Sequence, residues 1–355
     1  MARTKRPTRN GGVPGLRYVT DALPGIRRRR AGRGFVYTNA AGRRIRRRSE
    51  LERIRRLAIP PAWIDVWISP FPNAHILATG RDARGRKQYR YHPKWRVVRD
   101  GAKFDRLIAF GEALPDLRRR IRKDMARTGL PRERVVATIV ALLDCCFARI
   151  GNEEYARSNS SFGLTTLRDR HARVEGSRLR LRYRGKGGKG HDAEIDDPRI
   201  VHIVKRCREI PGQELFQYLD NNEVSQSVGS GDVNDYLRGV TGLDASAKDF
   251  RTWAATVAAC AELAPAEPGA TETERQAQVL EAIDTVAEQL GNTRAVCRKS
   301  YVHPDIVEGF LDGSLARSWA QRNVSGRSRG LRADERVALA FLRGRARRAS
   351  KARAA

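Results

Sequence analysis

Negative charge is what this 355-residue chain has least of: 40 Asp and Glu stand against 70 Lys and Arg, a formal net charge of +30. Such a field concentrates polyanions and steers them inward. DNA or RNA is the leading partner, because each neutralised phosphate releases condensed counterions. An anionic membrane surface is the rival. No apolar run approaches the roughly 20 residues of a spanning helix. Met1–Arg9 is basic but leads into Gly and Pro rather than an apolar signal core. The expectation is a soluble, cytoplasmic protein.

Cysteine is also sparse. The five residues, Cys145, Cys146, Cys207, Cys260 and Cys297, include no C-x-x-C pair, which argues against a zinc site. Their odd number and scatter suit a reducing compartment. Adjacent Cys145 and Cys146 fall in the apolar run Ile139–Ile150 and read as a buried pair of free thiols. A phosphate-binding loop is missing too. Gly80–Gly85 has the glycine spacing, but Arg86 stands where Lys is required, and Gly185–Gly190 lacks the order. Carboxylates do not cluster as a two-metal nuclease needs. Any DNA chemistry here is expected to use no cofactor, neither ATP nor metal.

What is present divides the chain. Residues 1–30 are basic and read as a disordered tail. A small β-rich domain is expected over 31–97. It contains a strand at Phe35–Thr38, a second possible strand from Arg43 to Arg46, and short apolar runs at Ala62–Ile68 and Ala74–Thr79. Gln88–His92 then alternates polar and aromatic residues. Helical spacing begins near Lys103 and is strong over Val135–Ile150. Leu179–Tyr183 and Asp192–Ile195 bracket a glycine-rich hairpin tip. Arg199–Ile210, Asp232–Val240, Ala247–Leu263, Glu272–Leu290 and Pro304–Leu311 read as helices. Residues 321–355 are a second basic tail with one possible helix at Ala333–Arg343. The fold class is α+β: a small β-rich domain, then a larger, mainly α domain over 98–320 with a small β-sheet or hairpin.

Phosphoryl transfer without metal needs other cations at the phosphate. Arginine forks suit its oxygens because they donate bidentate bonds and stay charged. A nucleophile and a proton donor for the leaving oxygen are needed as well. Candidates with unusual neighbours are Arg149, at the end of an apolar helix, and Arg251, inside the otherwise apolar Phe250–Ala255. Lys186 lies at the hairpin tip, and Tyr301 is one of nine tyrosines. Each has an ordinary alternative: a salt-bridged or solvated cation, a packed aromatic.

The segments taken together resemble type IB DNA topoisomerases of the compact bacterial and poxvirus kind. Arg149-Ile150-Gly151-Asn152-Glu153-Glu154-Tyr155, with Phe162–Leu167, is similar to the segment of the first catalytic arginine. Tyr183–Lys186 resembles the lysine-bearing hairpin, and Lys248–Trp253 the second arginine segment. Leu290–Thr293 followed by Ser300-Tyr301 resembles the end of the site. Upstream, Pro60–Trp63 and Ala78–His92 resemble the N-terminal DNA-binding domain. The likeness covers about residues 30–315, and the order and completeness of the pieces make it specific.

The resemblance implies that Tyr301 attacks a backbone phosphate to give a 3′-phosphotyrosyl bond. Lys186 protonates the leaving 5′ oxygen, and Arg149 and Arg251 stabilise the phosphoryl charge. Asn292 stands where many relatives carry His and retains a donor for a phosphate oxygen. Arg86, Lys87, Gln88, Tyr89, Tyr91, Asn152 and Tyr155 match positions that touch DNA. A monomer is expected to close on double-stranded DNA of the bacterial nucleoid as a C-shaped clamp, without a membrane. Two other readings stand beside this one. A tyrosine recombinase shares the residue set but usually carries a helical N-terminal domain. A non-catalytic nucleic-acid binder fits the composition but leaves the ordered set ending in Tyr301 unexplained.

Overall fold

Four consecutive arginines lie in the first strand, β1 (Ile26–Ala31), although Arg27–Arg30 has no alternation to announce it. Cross-strand contacts hold it. Arg28 lies over the Phe35 ring at 4.1 Å and donates to the Trp63 carbonyl at 2.6 Å. In the computed structural model, residues 15–32, 34–83, 85, 87–220, 222–320 and 330–354 are described. The chain divides into two units, Met1–Lys103 and Phe104–Ala355.

The first unit continues with β2 (Gly34–Thr38), α1 (Arg48–Arg56), β3 (Ile64–Ile68), β4 (Ile76–Arg81) and β5 (Lys87–Tyr91). The strands form one antiparallel sheet in the order β2-β1-β3-β4-β5. Alternation along β3 serves two cores at once. Val66 and Ile68 join Ile26, Ile54 and Ala78, while Trp67 joins Val19, Ala74 and Leu77. Helix α1 turns Ile54 inward and carries Glu50 in its first turn and Arg53, Arg55 and Arg56 in its last, as the helix dipole favours.

These contacts correct several expectations. The tail expected over 1–30 is folded from residue 15: Val19 is buried and Trp67 Nε1 donates to the Leu23 carbonyl at 2.9 Å. Residues 1–14 lie outside the described residues. Arg43–Arg46 forms no strand, only an isolated bridge between Thr38 and Arg44. The long helix α2 (Pro93–Met125) starts ten residues before Lys103, and the two units part at Lys103 rather than at 97.

In the second unit, α2 presents Leu107, Phe110, Leu114, Leu117 and Ile121 at alternating spacings of three and four, one buried stripe. Then follow α3 (Arg132–Cys146), α4 (Glu153–Asn159), β6 (Ala172–Glu175), β7 (Arg178–Arg184), β8 (Gly190–Ile195) and α5 (Pro198–Arg208). A small hairpin of β9 (Gln217–Leu219) and β10 (Ser225–Ser227) precedes α6 (Ser230–Thr241), α7 (Ala247–Leu263), α8 (Glu272–Gln289), α9 (Arg294–Ser300), α10 (Pro304–Leu311), α11 (Ser314–Ala320) and α12 (Ala333–Ala354). Strands β6-β7-β8 make a three-stranded antiparallel sheet. Strand β7 reads Arg-Leu-Arg-Leu-Arg-Tyr-Arg, with Leu179, Leu181 and Tyr183 buried and the arginines outward. The architecture is α+β.

Helix α7 is the shared wall of two cores. Phe250 and Trp253 belong to the one built on α2, α3, α5 and β7; Ala255, Ala259, Cys260 and Leu263 belong to the one with α8, α10 and α12. The expected C-terminal tail is another correction. Residues 321–329 lie outside the described residues, but α12 is one helix with Ala338, Leu339, Phe341 and Leu342 buried. The thiol pair also departs from expectation, since Cys145 is exposed and Cys146 half-buried, both free. Cys145 ends α3 on its outer side, while Cys146 packs against the core below.

A buried ion-pair network ties four helices of this unit. Arg118 on α2 reaches Asp144 on α3 at 2.8 Å and Glu335 on α12 at 2.7 Å, and Trp253 Nε1 on α7 donates to Glu335 at 3.1 Å. Burial would raise the Glu335 carboxyl, but Arg118, the Arg332 amide and Trp253 outweigh it and hold it below its ordinary value. A carboxylate depressed in the folded state stabilises above its unfolded pKa, and that increment vanishes as pH falls through the folded value. Glu335→Gln should therefore cost about 3 kcal/mol or more at neutral pH, as expected when a buried pair loses one partner. As pH falls below the unfolded glutamate range, about 4, the gap between variant and parent should start to narrow, and it should close only once pH has passed through the lower folded value. Urea melts across pH check both.

Candidate active site

Arg149 is presented by a segment that two glycines force into one path. After α3, Phe147 turns left-handed (φ 52°), and Gly151 follows at φ 109°. The Leu164 amide donates to the Arg149 carbonyl at 2.9 Å, and the Thr165 amide to that of Ile150 at 2.7 Å. Gly163 lies so close that a Cβ there would stand 2.5 Å from the Gly151 nitrogen and 2.6 Å from the Arg149 oxygen. Arg149 Nη2 then donates to Asn292 Oδ1 at 2.6 Å.

Arg251 comes from the middle of α7 and is 4 % exposed. Its Nη2 donates to the Leu290 carbonyl at 2.7 Å and its Nη1 to that of Phe147. Its Cζ lies 5.3 Å from the centre of the Tyr301 ring, and the guanidinium also bonds the phenol. Burial and then repulsion from Arg149 push the Arg251 pKa down. Tyr301 caps the C-terminal end of α9, fixed by its carbonyl accepting from Thr256 Oγ1 at 3.1 Å. Burial alone would raise its phenol; the charge and hydrogen bond of Arg251, with the fields of Arg149 and Lys248, outweigh it and bring the pKa below the ordinary tyrosine value.

Lys186 sits on a short 3-10 turn between β7 and β8, exposed at the tip. A neighbouring lysine latches this hairpin: Lys189 Nζ donates to the Asn292 carbonyl at 3.2 Å. Asn292 thus receives a bond on each of its two oxygens, while its buried Nδ2 has no partner.

An open cavity of about 400 Å³ is lined by Arg149, Lys186, Arg251 and Tyr301, joined by Asn152, Tyr155 and Lys248. Asn292 stands behind Arg149 rather than on this wall. Asn152 also has a local duty, since its Oδ1 caps α4 by accepting from the Tyr155 amide at 3.0 Å. A larger hollow of about 570 Å³ lies elsewhere in the unit, between α2, α3 and the start of α5, with charges of both signs. The 400 Å³ cavity is the better candidate because it gathers cations and a hydroxyl without a carboxylate. Among the described residues no three His, Cys, Asp or Glu side chains gather as a metal site, and no helix is long and apolar enough to cross a membrane.

Three side chains escaped the sequence reading. Lys248, in the first turn of α7, stands three residues before Arg251 and so shares its face. Lys189 and His191 follow Lys186 at the hairpin; His191 packs on Tyr183 at 4.8 Å, and burial, then Arg251 and Arg149, depress its pKa. Alternation along β8 was the available signal. In the first unit, Tyr89 and Tyr91 stack on one face of β5, centroids 5.6 Å apart. Lys87 pairs with Asp21 at 2.6 Å, and Gln88 donates to Asp82 at 2.9 Å. Arg86 lies outside the described residues.

Residues 92–321 match the family model of the eukaryotic DNA topoisomerase I catalytic core, and residues 34–82 that of the N-terminal domain of bacterial DNA topoisomerase IB. The chain belongs to the type IB DNA topoisomerases. It is 32% identical to DNA topoisomerase 1B of Acanthamoeba polyphaga mimivirus over 288 residues, 79% of this chain and 85% of the relative. It is 22% identical to DNA topoisomerase 1B of Vaccinia virus (strain Copenhagen) over 157 residues, 43% of this chain and 50% of the relative. This type IB topoisomerase is accordingly an isomerase acting on DNA, and the catalytic-core match spans every residue of the cavity.

The approach at Gly163 sets a stability test. Gly163→Ala drives a methyl into backbone and should cost about 1–3 kcal/mol, as overpacking does. Gly239→Ala, in α6 with nothing within 4 Å of its Cβ, should instead stabilise by up to about 1 kcal/mol. Thermal melts of both variants check the pair.

Proposed function

We propose that this enzyme relaxes supercoiled DNA through a transient single-strand break at Tyr301, without ATP or metal. The observation that carries the reading is the Tyr301 phenol bonded to buried Arg251 in a cavity shared with Arg149 and Lys186. Cations around the hydroxyl favour the phenolate, the form that attacks phosphorus. The Tyr301 Oη–phosphorus bond forms as the bond from phosphorus to the 5′ oxygen breaks, leaving a 3′-phosphotyrosyl linkage. Lys186, on the exposed turn at the rim of the cavity, hands a proton to the departing 5′ oxygen. Arg149 and Arg251 donate to the nonbridging oxygens as charge builds on them. The linkage keeps the energy of the phosphodiester, so attack by the 5′ hydroxyl reseals the strand without nucleotide. Rotation of the nicked duplex in between removes supercoils of either sign.

The first unit serves as a DNA-binding domain in this reading. The exposed Tyr89 ring and its partner Tyr91 offer a face to the duplex, with Arg86, Lys87 and Gln88 at phosphates and base edges. Asn152 and Tyr155 extend the cavity along the strand. The catalytic candidates gather in a single cavity of one chain, so in this reading a monomer suffices for the chemistry on nucleoid DNA.

Plasmids of either supercoil sign should relax in EDTA with no nucleotide, and Tyr301→Phe should give no denaturant-trapped covalent adduct while still binding duplex. An absolute need for Mg²⁺ or ATP would sink the mechanism, and a normal adduct yield from the Phe variant would remove Tyr301.

Asn292 has two separable duties in this reading: its side-chain Oδ1 holds Arg149, and its buried, unpartnered amide nitrogen turns to a phosphate oxygen once a strand is bound. Asn292→Asp keeps the acceptor, loses the donor and adds a negative charge against Arg149, and both changes weaken the hold on a phosphate. The variant should retain the parental melting temperature yet cleave more slowly by about 10-fold, up to the roughly 10²–10³ seen when an oxyanion donor is lost. Single-turnover cleavage at the parental rate would confine Asn292 to holding Arg149.

A further inference from the structure

Two thiols stand at the root of the catalytic-arginine segment, and no step above uses them. Cys145 and Cys146 are the last two residues of α3, and the chain leaves the helix through left-handed Phe147. Every residue that follows is engaged by the cavity's frame. The Phe147 carbonyl accepts from Arg251, Ala148 is buried, and Arg149 bonds Asn292. A change at the pair is therefore passed to both arginines within three residues.

The pair also differs from the other thiols. Cys207, Cys260 and Cys297 are at most 1 % exposed, and burial pushes their thiols up to about 12, 12 and 11. Cys145 is exposed and opens onto the 570 Å³ hollow beside Arg118 and Arg332. The two thiols interact with each other. Contact with Cys146 holds the Cys145 thiol below its ordinary value, while Cys146 is raised by that contact and by burial. An exposed cysteine whose thiol is held below its ordinary value, next to a second thiol, is the arrangement that peroxide oxidation favours.

We propose that Cys145 and Cys146 are a redox-sensitive vicinal dithiol that closes to a disulfide and thereby disengages Arg149 and Arg251. The oxidant is a hydroperoxide. The Cys145 thiolate attacks one peroxide oxygen, the O–O bond breaks, and with one proton taken up water leaves and Cys145 is a sulfenic acid. The Cys146 sulfur then attacks the Cys145 sulfur, losing its proton as the hydroxyl departs as a second water. In balance, two thiols and one hydrogen peroxide give one disulfide and two waters.

The bond cannot form on an intact helix end. Adjacent Cα atoms are about 3.8 Å apart across a trans peptide, whereas ordinary disulfides span about 4.4–6.8 Å. Closure must unwind the last turn of α3 and move the Phe147 carbonyl off Arg251. The same strain makes the bond easy to reduce, which suits a reversible switch rather than a structural link. The modification stands independently of the chemistry proposed for the cavity; its effect on cleavage rests on that reading.

The test uses the full chain, reduced and then treated with hydrogen peroxide. Intact mass should fall by two hydrogens, peptide mapping should place the bond at Cys145–Cys146, and titratable thiols should drop from five to the three buried ones. Amide hydrogen exchange over Phe147–Gly151 should rise. Single-turnover cleavage should fall at least tenfold and recover with dithiothreitol. Cys145→Ser, at an exposed position, and Cys146→Ala should cleave like the parent before treatment and lose the sensitivity after it. Absence of the bond, or a bond that leaves both exchange and cleavage unchanged, overturns the proposal. A reduced protein that never cleaves, yet gains exchange on oxidation, would overturn the cavity chemistry and leave the switch standing.

Discussion

A guanidinium buried without a carboxylate is the constraint on which the second unit turns. Taking a charge out of water is expensive, and proteins normally pair such a group with an anion. Arg251 has instead two backbone carbonyls and a phenol. Carbonyl dipoles recover part of the lost hydration and leave the positive charge uncancelled. Its field therefore acts on whatever shares the cavity, and the Tyr301 phenol records it. In the proposed chemistry an arriving phosphate supplies the missing anion, and the donors are already gathered when it comes, so little reorganisation remains.

Holding that charge in place consumes much of the surrounding structure. Helix α7 is packed on both sides, which keeps Arg251 from swinging out to solvent. Phe147 must be left-handed to aim its carbonyl inward, and Leu290 must end α8 at the right height for the other bond. The Arg118–Glu335–Trp253 network fixes α12 and α2 against the same helix from the outer side. Rigidity is thus concentrated where the charge is costliest, while Lys186 is left on an exposed turn.

How much could be read in advance follows the same physics. Ala247–Leu263 and Pro304–Leu311 matched the sequence reading at both ends because each is an apolar helix with a clear start signal. Strand β1 was misread because four arginines carry no period; only the stack of Arg28 on Phe35 and its bonds to backbone, which are tertiary, make it a strand. The seven-residue helices α4, α9 and α11 were missed because two turns are too short to show a period. In the cavity, Arg149, Lys186, Arg251 and Tyr301 were legible through their neighbours. The latch of Lys189 on Asn292 was not, since it joins a hairpin to a loop 103 residues away. The exposure of Cys145 was equally hidden, because an apolar run does not say which side of its last turn faces outward.

That latch has a consequence for timing. The proposed acid and the proposed nucleophile ride on separate elements, and the acid's element is tied back near Asn292 by one lysine bond at the surface. An exposed bond of this kind is weak and sensitive to ionic strength. On the proposed chemistry, resealing needs the hairpin in place, and any interval without it is an opportunity for the duplex to turn. On that reading the strength of a single surface contact bears on how many turns are released in one opening: a clutch whose slip is adjusted by salt.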